Sequence, residues 1–537
     1  MARMNLQGHH IDNEGHRTDA DVTILVTEVE QGTLVNVQIS ASQTVTGGSI
    51  VVDLPFTATH IIEQGFQSWS TVRRTTPRDV RPERAEAPRW FRSQMLASRE
   101  SAGTSLHGDG FLIFDGGIIG FLSAHTTFGT VLVRPDGSMA ALWLLDDLVI
   151  RPGDELTLDP LVIILDRPGR AYDRYADYSG ATSGARTPRR SARVWCSWYQ
   201  YFGVISPSII RENLALAAAH NIEVVQIDDG WQAEIGVWDH PNAAWAEPMT
   251  TIAADIRAAG CIAGIWTAPF LAIDGGTIAA THPEWLVLNQ DGVPTTALVH
   301  GGWGGKVFAL DTTNPAVLEH LTTTYAELRR QGFDYFKIDF LHAAAAVGTR
   351  VHGDTYSRAQ ALRAGLEAVR AGIGEDAYLV GCGSPLLSAV GMVDAMRVSE
   401  DVAPFYEPRV FFPGFEENTV AGRNAIEPSV LRAPLHRRWF TLDPDCVLLR
   451  PTDTELTRNE QVVIRDAALA ASGFIALSDD LTLYNTDTWA EAAQLFADAE
   501  RHEGARSIVD PFATPVEVVT GAGSIFVDWT APTVERR

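Results

Sequence analysis

Cysteine is scarce: 537 residues carry only four, Cys196, Cys261, Cys382 and Cys446, far apart and without a CxxC pair. That spacing excludes a disulfide framework and a zinc cluster. No run approaches the ~20 apolar residues of a membrane span, and the opening MARMNLQGHHIDNEGHRTDAD has no apolar signal-peptide stretch. A cytoplasmic protein with no membrane partner is expected. The 15 histidines form no HExxH and no Cys/His set with zinc spacing, so neither a metal nor a cofactor is expected. His9 and His10 read as part of a mobile terminus. A G-x-S-x-G elbow is missing, which disfavours serine hydrolysis. So are a GxGxxG after a first strand and a GxxxxGK[ST] phosphate loop. Positive charge is also short, at 42 Lys plus Arg against 67 Asp plus Glu, a net −25. Such a surface repels phosphate backbones, which argues against a nucleic-acid partner.

What is present is an ordinary globular composition, 45% hydrophobic and 20% charged, at a length that needs two or three domains. From about residue 20 to 166 apolar residues alternate: Val22, Ile24 and Val26 share one face, and Val35, Val37 and Ile39 another. Residues 1–178 therefore read as a β-sandwich domain ending in a helix, RAYDRYADY. The small, polar and basic stretch over 179–192 reads as a linker. Beyond it short apolar strands alternate with amphipathic helices. Helices are expected near 207–220, 250–259 and 314–331, the last with Asn314 as cap, Gly332 as stop and a stripe of Val317, Leu318, Leu321, Tyr325 and Leu328. About eight βα units fit into 193–480, the pattern of a (β/α)₈ barrel; an open doubly wound sheet is the alternative. Residues 481–537 return to strand-like alternation and read as a small β domain.

Barrels place chemistry at the C-terminal ends of their strands. Asp228 and Asp229 end EVVQIDD, Asp339 ends DYFKIDF, Cys382 ends AYLVGC, and Arg397 to Asp401 follow DAM. Any one of these is as well explained by a helix cap, a solvated loop or a small buried residue. Lys337 and Asp339 are stronger, because residues two apart on a strand share a face and the strand is otherwise apolar. The ammonium is expected to hold the carboxylate ionised. Glu400 and Asp401 stand side by side, so the acid of a carboxylate pair stays ambiguous at this level. Trp198, Trp231 and Trp266 fall at strand ends, where indole faces stack on sugar rings.

Seven segments in order, WCSWYQYF, QIDDGW, GIWTAPF, YFKIDFLHA, GCGSPLL, MRVSEDVAPF and DPDCVLLR, together resemble the family 36 glycoside hydrolases, most of all their compact bacterial α-galactosidases. The resemblance runs from about residue 60 to 480. It implies an N-terminal β-supersandwich, a central (β/α)₈ TIM barrel, a small C-terminal β domain and a retaining α-galactosidase acting on small oligosaccharides or galactosides. It also implies Asp339 as nucleophile with Lys337 beside it, and Asp401 rather than Glu400 as acid/base, with Arg397 ahead of it. Asp228 and Asp229 match the pair on the 4- and 6-hydroxyls of galactose, Cys382 and Arg397 lie near the 2-hydroxyl, and Trp198 and Trp266 form the aromatic wall. Trp69, in EQGFQSWS, matches a tryptophan sent in by the sandwich. Phe66 stands where that motif usually has Trp, and Leu442 where Asn is common. The chain also ends earlier than large tetrameric members, so a monomer or small homo-oligomer is expected. The alternatives are another sugar specificity on the same fold (α-N-acetylgalactosaminidase, β-L-arabinopyranosidase or transglycosylase), a non-catalytic carbohydrate-binding protein, or a metal-dependent barrel hydrolase.

Overall fold

Alternating strands and βα repeats generate two large sheets in the computed structural model, which describes residues 4, 6–98, 103–186, 191–529 and 533–536. The N-terminal part is one 13-stranded sheet, antiparallel apart from one short contact. Its strand Gly32–Ser40 buries Val35, Val37 and Ile39 and pairs with Asp21–Val29, whose Val22, Ile24 and Val26 are half-buried. The longest strands, Val45–Thr57 and Ser138–Ile150, pair with three register shifts, which bend the sheet as β-bulges do. His9 and His10 fall in a paired strand rather than in a loose terminus. They lie in strand Gly8–Ile11 against Val45–Thr57, and buried His10 contacts Thr18 Oγ1 at 2.7 Å and the Gly47 carbonyl at 2.6 Å.

The helix leaving the sandwich spans Pro168–Thr182, so it continues past residue 178 into the stretch expected to be linker. Packing explains the extension: Ser179 Oγ donates to the Tyr175 carbonyl at 2.7 Å and accepts from Trp439 Nε1 at 2.8 Å. Residues 187–190 of that stretch lie outside the described residues.

Eight parallel strands then close a barrel. They are β1 (Arg193–Cys196), β2 (Val224–Ile227), β3 (Ile262–Thr267), β4 (Tyr335–Ile338), β5 (Tyr378–Gly381), β6 (Ala395–Arg397), β7 in two pieces (Thr441–Asp443 and Cys446–Val447) and β8 (Ile475–Leu477). The first piece of β7 pairs with β6 and the second with β8, and β8 pairs with β1 to complete the ring. Pro444, with no N–H to donate, and Asp445 at φ 77° make the break. Helices Pro207–Ala219, Met249–Ala258 and Pro315–Arg330 appear within a residue or two of the expected ranges. In the last, Asn314 Oδ1 accepts from the Ala316 amide at 3.0 Å, and Val317, Leu321, Tyr325 and Leu328 are buried. Between β3 and that helix the barrel carries a three-stranded antiparallel insert, Leu271–Ile273, Thr296–His300 and Gly305–Ala309.

The segment expected as an all-β C-terminal domain opens instead with helix Thr486–Arg501, the eighth of the barrel. Its sequence signal is an Asn485 cap and a buried stripe of Ala492, Leu495, Phe496 and Ala499. Four short antiparallel strands between Ser507 and Arg536 follow, the last three packed on helix Arg458–Ala471. No helix among the described residues is long and apolar enough to cross a membrane.

Candidate active site

The strand ends converge on a cavity of about 300 Å³ whose wall includes Trp69, Trp198, Asp228, Asp229, Trp266, Lys337, Asp339 and Asp401. Eight of the ten residues to which the resemblance gives a role therefore meet there. Arg397 and Cys382 do not line it, and both are buried against residues that do. Trp231 is core: it is fully buried and donates Nε1–H to the Trp266 carbonyl at 2.9 Å.

At the deep end, Lys337 is buried among carboxylates. Its Nζ lies 3.0 Å from Asp228 Oδ2 and 4.0 Å from Asp339 Oδ2, so its close partner is Asp228 rather than Asp339 as the i, i+2 spacing suggested. Burial works against the ammonium, but Asp228, with Asp339 and others behind it, raises the Lys337 pKa well above the usual lysine range. Asp228 Oδ2 also accepts from Gln226 Nε2 at 2.5 Å and Cys196 Sγ at 3.3 Å. Asp229 is held by Gln232 Nε2 at 2.6 Å on Oδ1 and Trp303 Nε1 at 2.8 Å on Oδ2, while burial pushes its pKa up.

Asp339 follows β4. Its amide donates to the Thr267 carbonyl at 2.9 Å, which fixes the backbone against β3. Its two oxygens accept from different donors, Oδ1 from the Phe340 amide at 2.7 Å and Oδ2 from Trp266 Nε1 at 3.0 Å. Phe340 takes the left-handed conformation at φ 55°, which a bulky residue adopts only where its surroundings impose it.

Asp401 faces a different environment. Arg397 Nη1 donates to its Oδ1 at 2.9 Å, and the same guanidinium meets Asp443 at 3.2 Å and Asp445 at 2.7 Å, the two carboxylates flanking the break in β7. Burial, joined by the charges of Asp445 and Asp339, raises Asp401 to about 6 against the pull of Arg397 and Lys337. Burial likewise lifts the Cys382 thiol well above its usual range, which keeps it neutral.

Trp69 arrives from the sandwich on a loop pinned to the barrel. Ser68 donates its amide to the Ser384 carbonyl at 3.1 Å, and its hydroxyl accepts from the Gly383 amide at 2.8 Å. Buried Arg432 donates to the Ser68 and Val398 carbonyls at 2.7 and 2.8 Å. Gly383 sits at φ +69°, and a Cβ there would lie 3.0 Å from Trp69 Cη2, so only glycine lets the indole approach. Phe66, at the departure from the usual motif, is buried in the sandwich edge-on to Phe128.

The sequence reading missed Tyr199, Phe202, His300, Trp303, Phe340 and Val420 in this wall and discounted Glu400. The signal for Trp303 was legible: HGGWGGK places one aromatic among four glycines at a hairpin tip.

A parallel barrel whose strand ends carry two separately held carboxylates, a buried lysine and an indole wall is the architecture of the barrel glycoside hydrolases. No family model matches the chain. The structure is similar to the α-galactosidase of Thermus thermophilus in complex with p-nitrophenyl α-D-galactopyranoside, with TM-score 0.75 and 25% identity over 95% of this chain and 100% of that one. The same enzyme has been solved with stachyose, at TM-score 0.72 and 26% identity over 89% of this chain and 99% of that one. Among curated proteins, α-galactosidase 2 of Pediococcus pentosaceus is 22% identical over 161 residues, 28% of this chain and 21% of that protein. An A type blood α-D-galactosamine galactosaminidase of Flavonifractor plautii is 27% identical over 212 residues, 36% of this chain and 18% of that protein. The matched stretches thus span about a fifth of each curated relative. The fold is also that of the GH36 α-galactosidase AgaA of Geobacillus stearothermophilus, at TM-score 0.62 and 11% identity over 97% of this chain and 79% of that one.

Proposed function

We propose that the chain is a retaining, exo-acting α-galactosidase that removes terminal α-D-galactosyl residues from small oligosaccharides. The observation that carries the reading is the contrast between two carboxylates on one cavity. Asp339 accepts from Trp266 Nε1 and the Phe340 amide with an ammonium 4.0 Å away, whereas Asp401 is raised to about 6. The two fixed donors hold the Asp339 carboxyl in one orientation for attack, and a raised carboxyl at Asp401 suits a general acid. Asp339 attacks C1 of the galactosyl unit while Asp401 gives its proton to the leaving oxygen, which forms a covalent glycosyl-enzyme. The Asp401 carboxylate then takes a proton from water as that water attacks C1, releasing Asp339 and the sugar. Asp228 and Asp229 supply acceptors for two galactose hydroxyls at the deep end. A sugar without those hydroxyls leaves buried carboxylates unpaired, which makes the pair an epimer filter.

The ligand of the Thermus neighbour, a p-nitrophenyl α-D-galactopyranoside, supports the choice of sugar. The same reading includes a cytoplasmic enzyme working as a monomer or small homo-oligomer. Its test is hydrolysis of p-nitrophenyl α-D-galactoside by the wild type, Asp339→Ala and Asp401→Ala, with azide added to each variant. The reading expects wild-type turnover, a loss of roughly 10³-fold or more in Asp339→Ala, and azide rescue of that variant to a β-galactosyl azide. Turnover confined to a different glycoside would discard the sugar and keep the mechanism.

A further inference from the structure

Glu400 is the carboxyl that the double displacement does not use. It lies in the cavity wall immediately before Asp401, 7% exposed, and its Oε1 has no hydrogen-bond partner among the described residues. A buried carboxyl oxygen left without a partner is costly, and where such a group persists in a binding cavity it is set to meet a ligand. Three observations locate that ligand. The deep end is already occupied by Lys337, Asp228 and Asp229, which satisfy one another or meet Gln226, Gln232 and Trp303, and Glu400 bonds to none of them. Its polar neighbour is Asn418, whose Nδ2 donates to the Trp69 carbonyl at 2.5 Å and whose Oδ1 accepts from Thr71, so Glu400 belongs to the wall shared with the sandwich loop. That side is also the open one: Asp401 is 31% exposed, and Val420 and Phe202, both in the wall, are 47% and 46% exposed.

We propose that Glu400 is a leaving-group-binding residue, whose carboxyl hydrogen-bonds a hydroxyl of the sugar released next to Asp401. The inference rests on the α-galactosidase reading. Burial first, and the adjacent Asp401 second, push the Glu400 pKa well above the carboxylate range. The neutral acid then offers both an O–H donor and a carbonyl acceptor, and it adds no charge beside the proton that Asp401 must deliver. Trp198 and Phe202, edge-to-face at 5.4 Å, give the same cavity an apolar surface for the flat face of a sugar.

The test uses two leaving groups on one glycone. p-Nitrophenyl α-D-galactoside releases a group with no neighbouring hydroxyls, and melibiose releases glucose. Wild-type turnover of the nitrophenyl galactoside checks the underlying reading without reference to Glu400. Glu400→Ala is expected to lower kcat/KM for melibiose, mainly through KM, by about tenfold or more beyond any loss on the nitrophenyl galactoside. Glu400→Gln, which keeps a donor and an acceptor in place, is expected to recover most of the melibiose activity. Glu400→Met fills the same volume without hydrogen bonding and serves if the alanine variant does not fold, as thermal melting reports. Equal losses on both substrates, or an unchanged melibiose rate in the alanine or methionine variant, overturn the proposal.

Discussion

Arg397 Nη1 lies 2.9 Å from Asp401 Oδ1, and the other nitrogens of the same guanidinium are held by Asp443 and Asp445. Its position is therefore fixed from behind before any substrate arrives. Because Arg397 pulls the Asp401 carboxyl down while burial lifts it to about 6, the arginine sets where the acid loses its proton. The protonated acid is present below that value and lost as pH rises through it. The kcat/KM profile of the wild type is expected to fall on its basic side near pH 6. Arg397→Lys, which cannot reach three carboxylates at once, is expected to move that limb upward by roughly one unit. A limb that stays in place would show that the arginine does not govern the proton.

Lys337 is the cation buried between Asp228 and Asp339. Lys337→Met is expected to cost about 3–5 kcal/mol of stability, because it leaves two buried carboxylates without a counter-charge. Denaturant unfolding measures the loss, and a difference below about 1 kcal/mol would mean that the carboxylates find other partners. The variant is also expected to raise KM, since Asp228 loses the ammonium that holds it 3.0 Å away.

Trp303 reaches Asp229 from the tip of the glycine-rich hairpin. Trp303→Phe keeps a ring against Trp266 and Phe340 and removes only the N–H. A hydrogen bond to a carboxylate contributes roughly 1.5–3 kcal/mol, so KM is expected to rise about tenfold or more with kcat little changed. Gly304→Ala should act in the same direction, because Gly304 sits at φ +97° and a side chain there strains the tip. Steady-state kinetics of both variants decide whether the indole binds substrate through Asp229 or only packs.

Arg432 is 1% exposed and pairs with carbonyls rather than a carboxylate. It joins Ser68 of the sandwich loop to Val398 just beyond β6. Arg432→Met is expected to lower the melting temperature and also to lower kcat/KM by displacing Trp69. If the variant unfolds earlier but keeps full activity below its transition, the loop holds Trp69 without the arginine.

Much of this site was legible in the sequence because barrels expose their strand ends. Asp228, Asp229 and Asp339 end short apolar runs and Lys337 stands two before Asp339, which placed them at strand ends, whereas Asp401, beside Glu400, was singled out by the family resemblance. What periodicity does not supply is distance across the barrel. It paired Lys337 with its neighbour in sequence, whereas the short contact goes to Asp228 two strands away. Trp231 and Trp266 carry the same signal, yet the first is core and the second wall, since which side of the backbone faces the axis depends on the packing of whole helices. The extra helix at Thr486–Arg501 was overlooked because the strands after it dominate the segment. His10 looked free because its partners, Thr18 and Gly47, come from a turn and from a strand 37 residues away.

The break in β7 also bears on how the barrel breathes. Pro444 contributes no amide to the girdle of hydrogen bonds, and Asp445 turns aside at φ 77°, so one rung of the ring is replaced by side-chain contacts to Arg397. Amide exchange in the ring should then be slowest along β2, β3 and β4 and fastest at the seam between β6 and β8. The acid hangs over that seam, on the loop that follows β6, while Asp339 stands on the continuous arc opposite. One carboxylate is thus expected to stand on the slowest-exchanging arc of the ring and the other beside its fastest-exchanging joint, a division that suits a group that must stay still and a group that must hand its proton over and take one back.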